Sequence, residues 1–107
     1  MSKTTITVGV LVDEQHSVTF IDVCERQGIA EEALLELLEH GLLSEVKRPS
    51  KQLMFDLTML NRIHSACRLH ADLGINSPGI VLALELMDKL ERLQSELRVL
   101  KRHVNLD

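Results

Sequence analysis

His64, Cys67 and His70 lie at positions i, i+3 and i+6 of one stretch. Imidazole and thiolate side chains hold zinc at comparable spacings, and a thiol beside an imidazole is a nucleophile pair. The spacing argues against both uses. On a helix these three side chains diverge over about 120°. The sequence holds no second cluster to complete a tetrahedron around them. A partly buried cysteine between two edge histidines is the simpler reading, with no metal site. Cys24 also sits in apolar helical surroundings, and both thiols are expected to be buried and structural, with a disulfide or reactive thiol as the alternative. His16, His40 and His103 are isolated. No glycine-rich phosphate loop, G-x-S-x-G, C-x-x-C or evident carboxylate pair is present. The reading is a chain that is not an enzyme and needs no cofactor.

The charges are more informative. The net charge of −4 is divided into −6 over residues 1–44 and +2 over residues 45–107. An acidic first half disfavours nucleic acid and favours a basic partner. Much of that acidity lies in 31–43, EEALLELLEHGLL. At 100° per residue, Glu32, Glu36 and Glu39 fall within about 60° of one another. Leu34, Leu37 and Leu38 fall on the opposite side, as a core face. Leu35 and His40 flank the acidic stripe. A solvated helix face and a binding surface both fit this stripe.

These side chains need elements to carry them. The chain has 107 residues, 45% of them apolar, with two Phe and no Tyr or Trp. That indicates one mainly helical domain with an aliphatic core. Residues 1–18 are expected to form an N-terminal strand or arm, with β-branched 5–12 as the strand. Thr19 caps a first helix, with Asp22 three residues on, and Gly28 ends it. The second helix runs from about Ala30 to His40, where Gly41 stops it. Residues 45–55 read as a small β hairpin around Pro49-Ser50, built on Val46, Leu53, Met54 and Phe55. Residues 19–56 therefore form a winged helix-turn-helix. Asp56 caps a third helix, 57–74, with Leu57, Leu60, Ile63, Ala66, Cys67 and Leu73 on its apolar face, and Phe55 is placed to staple onto Leu60. Ser77-Pro78 reads as a cap residue followed by proline at the first helical position, the start of a long helix over 77–104.

In that helix Leu86, Leu90, Leu93, Leu97 and Leu100, then Val104, recur in steps of four and three. This is a heptad seam. It could pack on the third helix. It runs further than a compact core of this size needs, however, and the reading favoured is a coiled-coil homodimer, with antiparallel pairing open and Lys89, Arg92, Glu96, Arg98 and Lys101 flanking the seam. No apolar run reaches the ~18 residues of a membrane span, and no signal peptide is visible, so a cytoplasmic protein is expected.

The order of helix, turn, helix ending Gly41-Leu42-Leu43, basic hairpin, helix beginning Asp56-Leu57 and long last helix resembles the MerR-type winged helix-turn-helix. Within that group, Pro78-Gly79-Ile80, Ala83-Leu84 and Leu86-Met87-Asp88, with the heptads behind them, resemble the C-terminal helix of the CbpM-type chaperone modulators. Aligned on Gly41-Leu42-Leu43, MerR-type DNA readers usually carry arginine where this chain has Glu32 and Leu35, and tyrosine where it has Glu36. The usual Gly-Tyr-Arg of the wing is replaced by Lys51-Gln52-Leu53. Carboxylates in place of phosphate-neutralising groups oppose DNA binding.

The resemblance implies a modulator that binds the J-domain of a DnaJ-like, CbpA-type, nucleoid-associated co-chaperone and blocks its cooperation with the DnaK-type chaperone. J-domains expose a basic second helix. Glu32, Leu35, Glu36, Glu39 and His40 are the expected contact surface. Lys47, Arg48 and Lys51 are a possible secondary contact, or a solvated turn. Nucleoid association would come only through the partner. The alternative is a MerR-type DNA-binding transcriptional regulator, for which the three hairpin cations are the strongest remaining support.

Overall fold

A computed structural model describes residues 4–7, 10–13 and 17–104, the first two segments by their backbone only. Its elements in chain order are β1 (Thr4–Thr7), β2 (Val10–Asp13), β3 (Val18–Thr19), α1 (Phe20–Gln27), α2 (Glu31–Glu39), β4 (Met54–Phe55), α3 (Leu57–Leu73) and α4 (Ser77–Val104). The fold is mainly helical: a helix-turn-helix of α1 and α2, then α3 and a long C-terminal helix. The single N-terminal strand read from 5–12 is instead two strands, paired antiparallel from Thr4↔Asp13 to Thr7↔Val10. Residues 8, 9 and His16 lie outside the described residues.

Local chemistry sets each helix boundary. Thr19 Oγ1 accepts from the Asp22 amide at 3.2 Å, and Asp56 Oδ1 accepts from the Met59 amide at 2.9 Å. Each cap satisfies an amide that has no partner in its own first turn. Helix α1 ends at Gly28 in the left-handed region, with the Ile29 amide donating back to the Cys24 carbonyl. Helix α2 ends with the Leu42 amide on the Leu37 carbonyl and the Gly41 amide on the Leu38 carbonyl, both at 3.1 Å. This is a Schellman closure. Its left-handed residue is Gly41 (φ +91°), and its apolar pair, Leu37 and Leu42, is buried. Glycine is needed there because a side chain at that φ would be strained.

Two boundaries differ from the sequence reading. The cap of α4 is Asn76, whose Oδ1 accepts from the Gly79 amide at 2.9 Å and whose carbonyl accepts from Ile80. Ser77 and Pro78 are therefore the first two helical residues. The hairpin expected over 45–55 does not close on itself. Residues 45–53 form a loop of turns, and Met54–Phe55 pairs with Val18–Thr19. The short pairing has a clear consequence. It places the capped starts of α1 and α3 side by side and brings Phe20 and Phe55 to 6.3 Å between ring centroids. Val46 and Leu53 still pack partly against the core, so the loop is anchored at both ends.

The core joins Phe20 and Val23 of α1, Leu34, Leu37 and Leu38 of α2, then Leu42, Leu43 and Phe55, with Leu60, Ile63 and Ala66 of α3 and Ile80, Val81 and Leu84 of α4. Phe55 and Leu60, the expected staple, are both fully buried. Leu73 is exposed, a departure from its expected place on the apolar face of α3. Arg62 fastens the assembly from outside the core. Its Nε donates to the Leu42 carbonyl and its Nη1 to Asp88 Oδ2, each at 2.8 Å. One side chain thereby ties the end of the helix-turn-helix to α3 and α4.

Candidate functional site

The core face of α2 fixes what its other face can do. Leu34, Leu37 and Leu38 are buried, so the opposite side must point outward. Glu32, Glu36 and Glu39 are exposed there. The Glu32 side chain is 83% accessible and that of Glu36 is 57% accessible. Neither is sealed by another segment. His40 is exposed one turn beyond Glu36, with Nε2 4.0 Å from its carboxylate. Leu35 is different: it is half-buried and packs against the core, which leaves it a poorer outward anchor than its position beside the stripe implies.

The loop cations are not alike. Lys51 Nζ reaches Glu31 at 3.3 Å and Glu32 at 3.8 Å. It therefore lies against the start of the acidic helix. Such solvent-exposed pairs contribute little to stability. They do, however, turn the nearest cation of the loop toward α2. Lys47 and Arg48 are exposed, and among the described residues neither makes an ion pair. Sequence spacing alone gave no sign of this difference, because the lysine reaches α2 only through the path of the loop.

Beside the stripe, toward α3 and α4, lies a groove of about 480 Å³. Ala30, Ala33 and Glu36 of the α2 side form one wall, His70 and Ala71 of α3 form another, and Cys67, Leu37 and Ile80 lie at its base. Small side chains on facing helices leave this space. The sequence reading missed it, since it depends on how α2, α3 and α4 meet. His64, Cys67 and His70 are not brought together as ligands. His64 Nδ1 is 3.3 Å from Gln27 Oε1, and His70 Nδ1 is 3.1 Å from the Ile75 carbonyl. No cluster able to hold a metal occurs among the described residues. Burial, aided by nearby Cys24, pushes the Cys67 thiol up to about 11, and burial also raises Cys24. Both cysteines are free thiols. They are kept protonated, the opposite of an activated nucleophile.

The second exposed feature is α4. From Glu85 to Val104 every residue is exposed. Leu86, Leu90, Leu93, Leu97 and Leu100 are among the exposed large apolar side chains, together with Leu82, which the heptad reading passed over. On the helix wheel the centre of this seam lies about 170° from the centre of Ile80, Val81 and Leu84, the residues that seat α4 on the body. The seam therefore faces largely away from the body, with Leu90 alone of its leucines bordering an open groove shared with Thr58, Asn61, Arg62 and Ser65 of α3. No helix among the described residues is long and apolar enough to cross a membrane.

Comparison with known proteins agrees with this architecture. Residues 18–102 match the family described as MerR HTH family regulatory protein. The Chaperone modulatory protein CbpM of Coxiella burnetii (strain Dugway 5J108-111) is 31% identical over 97 residues, covering 91% of this chain and 92% of the relative. Those of Pseudomonas entomophila (strain L48) and Pseudomonas putida (strain W619) are 28% and 29% identical over 82 residues, covering 77% of this chain and 81% of each relative. With the helix-turn-helix and long last helix already in place, these matches make the chain a member of the CbpM family of chaperone modulators, within the MerR-like helix-turn-helix group.

Proposed function

We propose that this chaperone modulator binds the J-domain of a DnaJ-like, CbpA-type co-chaperone through the outer face of α2. Bound there, it sterically prevents the J-domain from engaging the DnaK-type chaperone. The observation that carries this reading is the exposed line of Glu32, Glu36 and Glu39 on the helix that a DNA-binding relative would place against phosphate. Carboxylates attract a basic protein surface, speed its encounter and set its orientation. His40 and the exposed part of Leu35 border the contact. Lys47 and Arg48 are available for acidic residues of the same partner. The chain acts as a homodimer through Leu86, Leu90, Leu93, Leu97 and Leu100. An antiparallel copy would stack Leu93 on Leu97, Leu90 on Leu100 and Leu86 on Val104, filling every layer of the seam.

The test is calorimetric titration of a J-domain fragment into the wild-type chain and into Glu32→Lys, Glu36→Lys, Glu39→Lys. Binding that is lost in the variant, and that weakens with salt in the wild type, is the expected result. Inhibition of J-domain-stimulated ATP hydrolysis by the DnaK-type chaperone should fall in parallel. An unchanged affinity in the triple variant would move the contact to another surface. Retardation of duplex DNA at low salt, abolished by Lys47→Ala and Arg48→Ala, would favour the regulator reading instead.

A further inference from the structure

We propose that the groove beside Glu36 is the socket of this interface and receives one apolar side chain of a cationic helical segment. The inference deepens the J-domain reading and rests on it. A row of charges steers and orients, but affinity concentrates where an apolar side chain enters a well-packed pocket and excludes water. Leu35 cannot fill that role well, because much of it already packs on the core. On the other flank of the same stripe the surface is concave. Ala30, Ala33 and Ala71 offer apolar walls with little bulk, and Leu37, Cys67 and Ile80 form an apolar base. At about 480 Å³ the groove has room for an apolar side chain and part of the helical turn that carries it.

Charge complementarity selects the occupant. Glu36 stands on the rim of the groove and belongs to the acidic stripe, with Glu32 one turn before it and Glu39 three residues after it. A segment that lays an apolar side chain into the groove must therefore pass its neighbouring residues over carboxylates. Lysine or arginine about one helical turn from the apolar residue satisfies both surfaces at once. Anionic or uniformly apolar segments satisfy only one. The un-ionised Cys67 thiol keeps the base of the groove neutral and apolar.

The experiment fills the groove without touching a charge. Ala33→Leu and Ala71→Leu add bulk from opposite walls, and leucine is a good helix former at both positions. Each variant is first checked for an unchanged circular dichroism spectrum and melting temperature. It is then titrated with the J-domain fragment beside Glu32→Lys, Glu36→Lys, Glu39→Lys. A roughly thirtyfold loss of affinity in each filled variant is expected for a blocked hot spot. In labelled wild-type protein, the methyl signals of Ala33, Ala66 and Ala71 should shift on titration. Wild-type affinity in both leucine variants with binding lost in the charge variant would overturn the socket and leave the partner reading intact. Methyl signals that stay still while the Glu32 and Glu36 amides move would overturn it in the same way. A wild-type chain that binds no J-domain would overturn both together.

Discussion

Replacing Leu93 and Leu97 by alanine separates association from folding more cleanly than any other change in this chain. Leu93 is 61% exposed and Leu97 51% exposed, on a stretch of α4 in which every residue is exposed. Burying a whole leucine side chain stabilises by about 1.5–3 kcal/mol. Covering the exposed half of each therefore contributes on the order of 1 kcal/mol. A two-fold dimer contains each residue twice, so the double variant forfeits about 4 kcal/mol, close to a thousandfold in Kd. The monomer should lose almost nothing, since alanine is at least as good a helix former as leucine and neither side chain fills the core. Sedimentation velocity over a hundredfold range of concentration reads the association directly. Melting followed at the same concentrations should show a dependence on concentration in the wild type that is absent in the variant. A wild-type chain that stays monomeric throughout would refute the reasoning. So would a double variant that dimerises like the wild type, or one that unfolds like a core-cavity mutant.

Further expectations test the surrounding structure. Antiparallel pairing sets Leu93 against Leu97 of the other copy, so a mixture of chains carrying Leu93→Cys and chains carrying Leu97→Cys should form an interchain disulfide between unlike variants under mild oxidation, seen on a non-reducing gel. A parallel pair would not bring these positions together in that way. Asp56→Ala removes the oxygen that holds the Met59 amide and should cost about 1 kcal/mol in urea unfolding. Arg62→Met should cost roughly 1–2 kcal/mol through the unsatisfied Leu42 carbonyl. Asp88→Asn, which weakens only the exposed half of that arrangement, should stay within about 1 kcal/mol of the wild type. Cys67 has its thiol pushed from an ordinary 9.0 to about 11. The unfolded thiol thus loses its proton before the folded one. Its contribution to stability is present in full below pH 9, declines as pH rises toward about 11, and should vanish from the pH profile of Cys67→Ser. Alkylation of Cys67 in the folded chain should be correspondingly slow at pH 8.

Features that depend on near neighbours in the chain were legible in the sequence. The caps at Thr19 and Asp56, the glycine stops at Gly28 and Gly41, and the inward leucines of α2 follow from local hydrogen bonding and helical period. Features that depend on distant pairing were not. The strand at Met54–Phe55 finds its partner in Val18–Thr19, some 36 residues away, rather than across Pro49-Ser50. Composition could not reveal this, because either pairing satisfies the same backbone groups. Asn76 escaped notice because Ser77-Pro78 matches a common start pattern, whereas the Asn side chain reaches the Gly79 amide one residue earlier in register. Of the candidate surface, the acidic stripe follows from a wheel. The groove beside it, the inward turn of Lys51 and the clasp of Arg62 all require three helices in their final places.

The two faces of α2 explain how a DNA-type scaffold can reverse the sign of its surface and keep its fold. Stability is carried by Leu34, Leu37 and Leu38 and by the closure at Gly41, none of which depends on what lies outward. Exposed positions tolerate substitution within about half a kcal/mol. Arginine or glutamate at position 32 is thus nearly equivalent for folding, yet opposite for a phosphate backbone. The same change acts on the loop. Once glutamate stands at 31 and 32, Lys51 is drawn back onto α2, and a cation that could otherwise meet phosphate is partly neutralised by its own chain. An approaching duplex would confront the carboxylates and would have to draw Lys51 away from them. A basic helix would displace the weak surface pairs of Lys51 and leave the glutamates better matched than before. Lys51→Ala should therefore strengthen J-domain binding severalfold at low salt and lose that advantage as salt rises. Weaker binding in that variant would mean that Lys51 itself contacts the partner, and would return the loop to the centre of the interface.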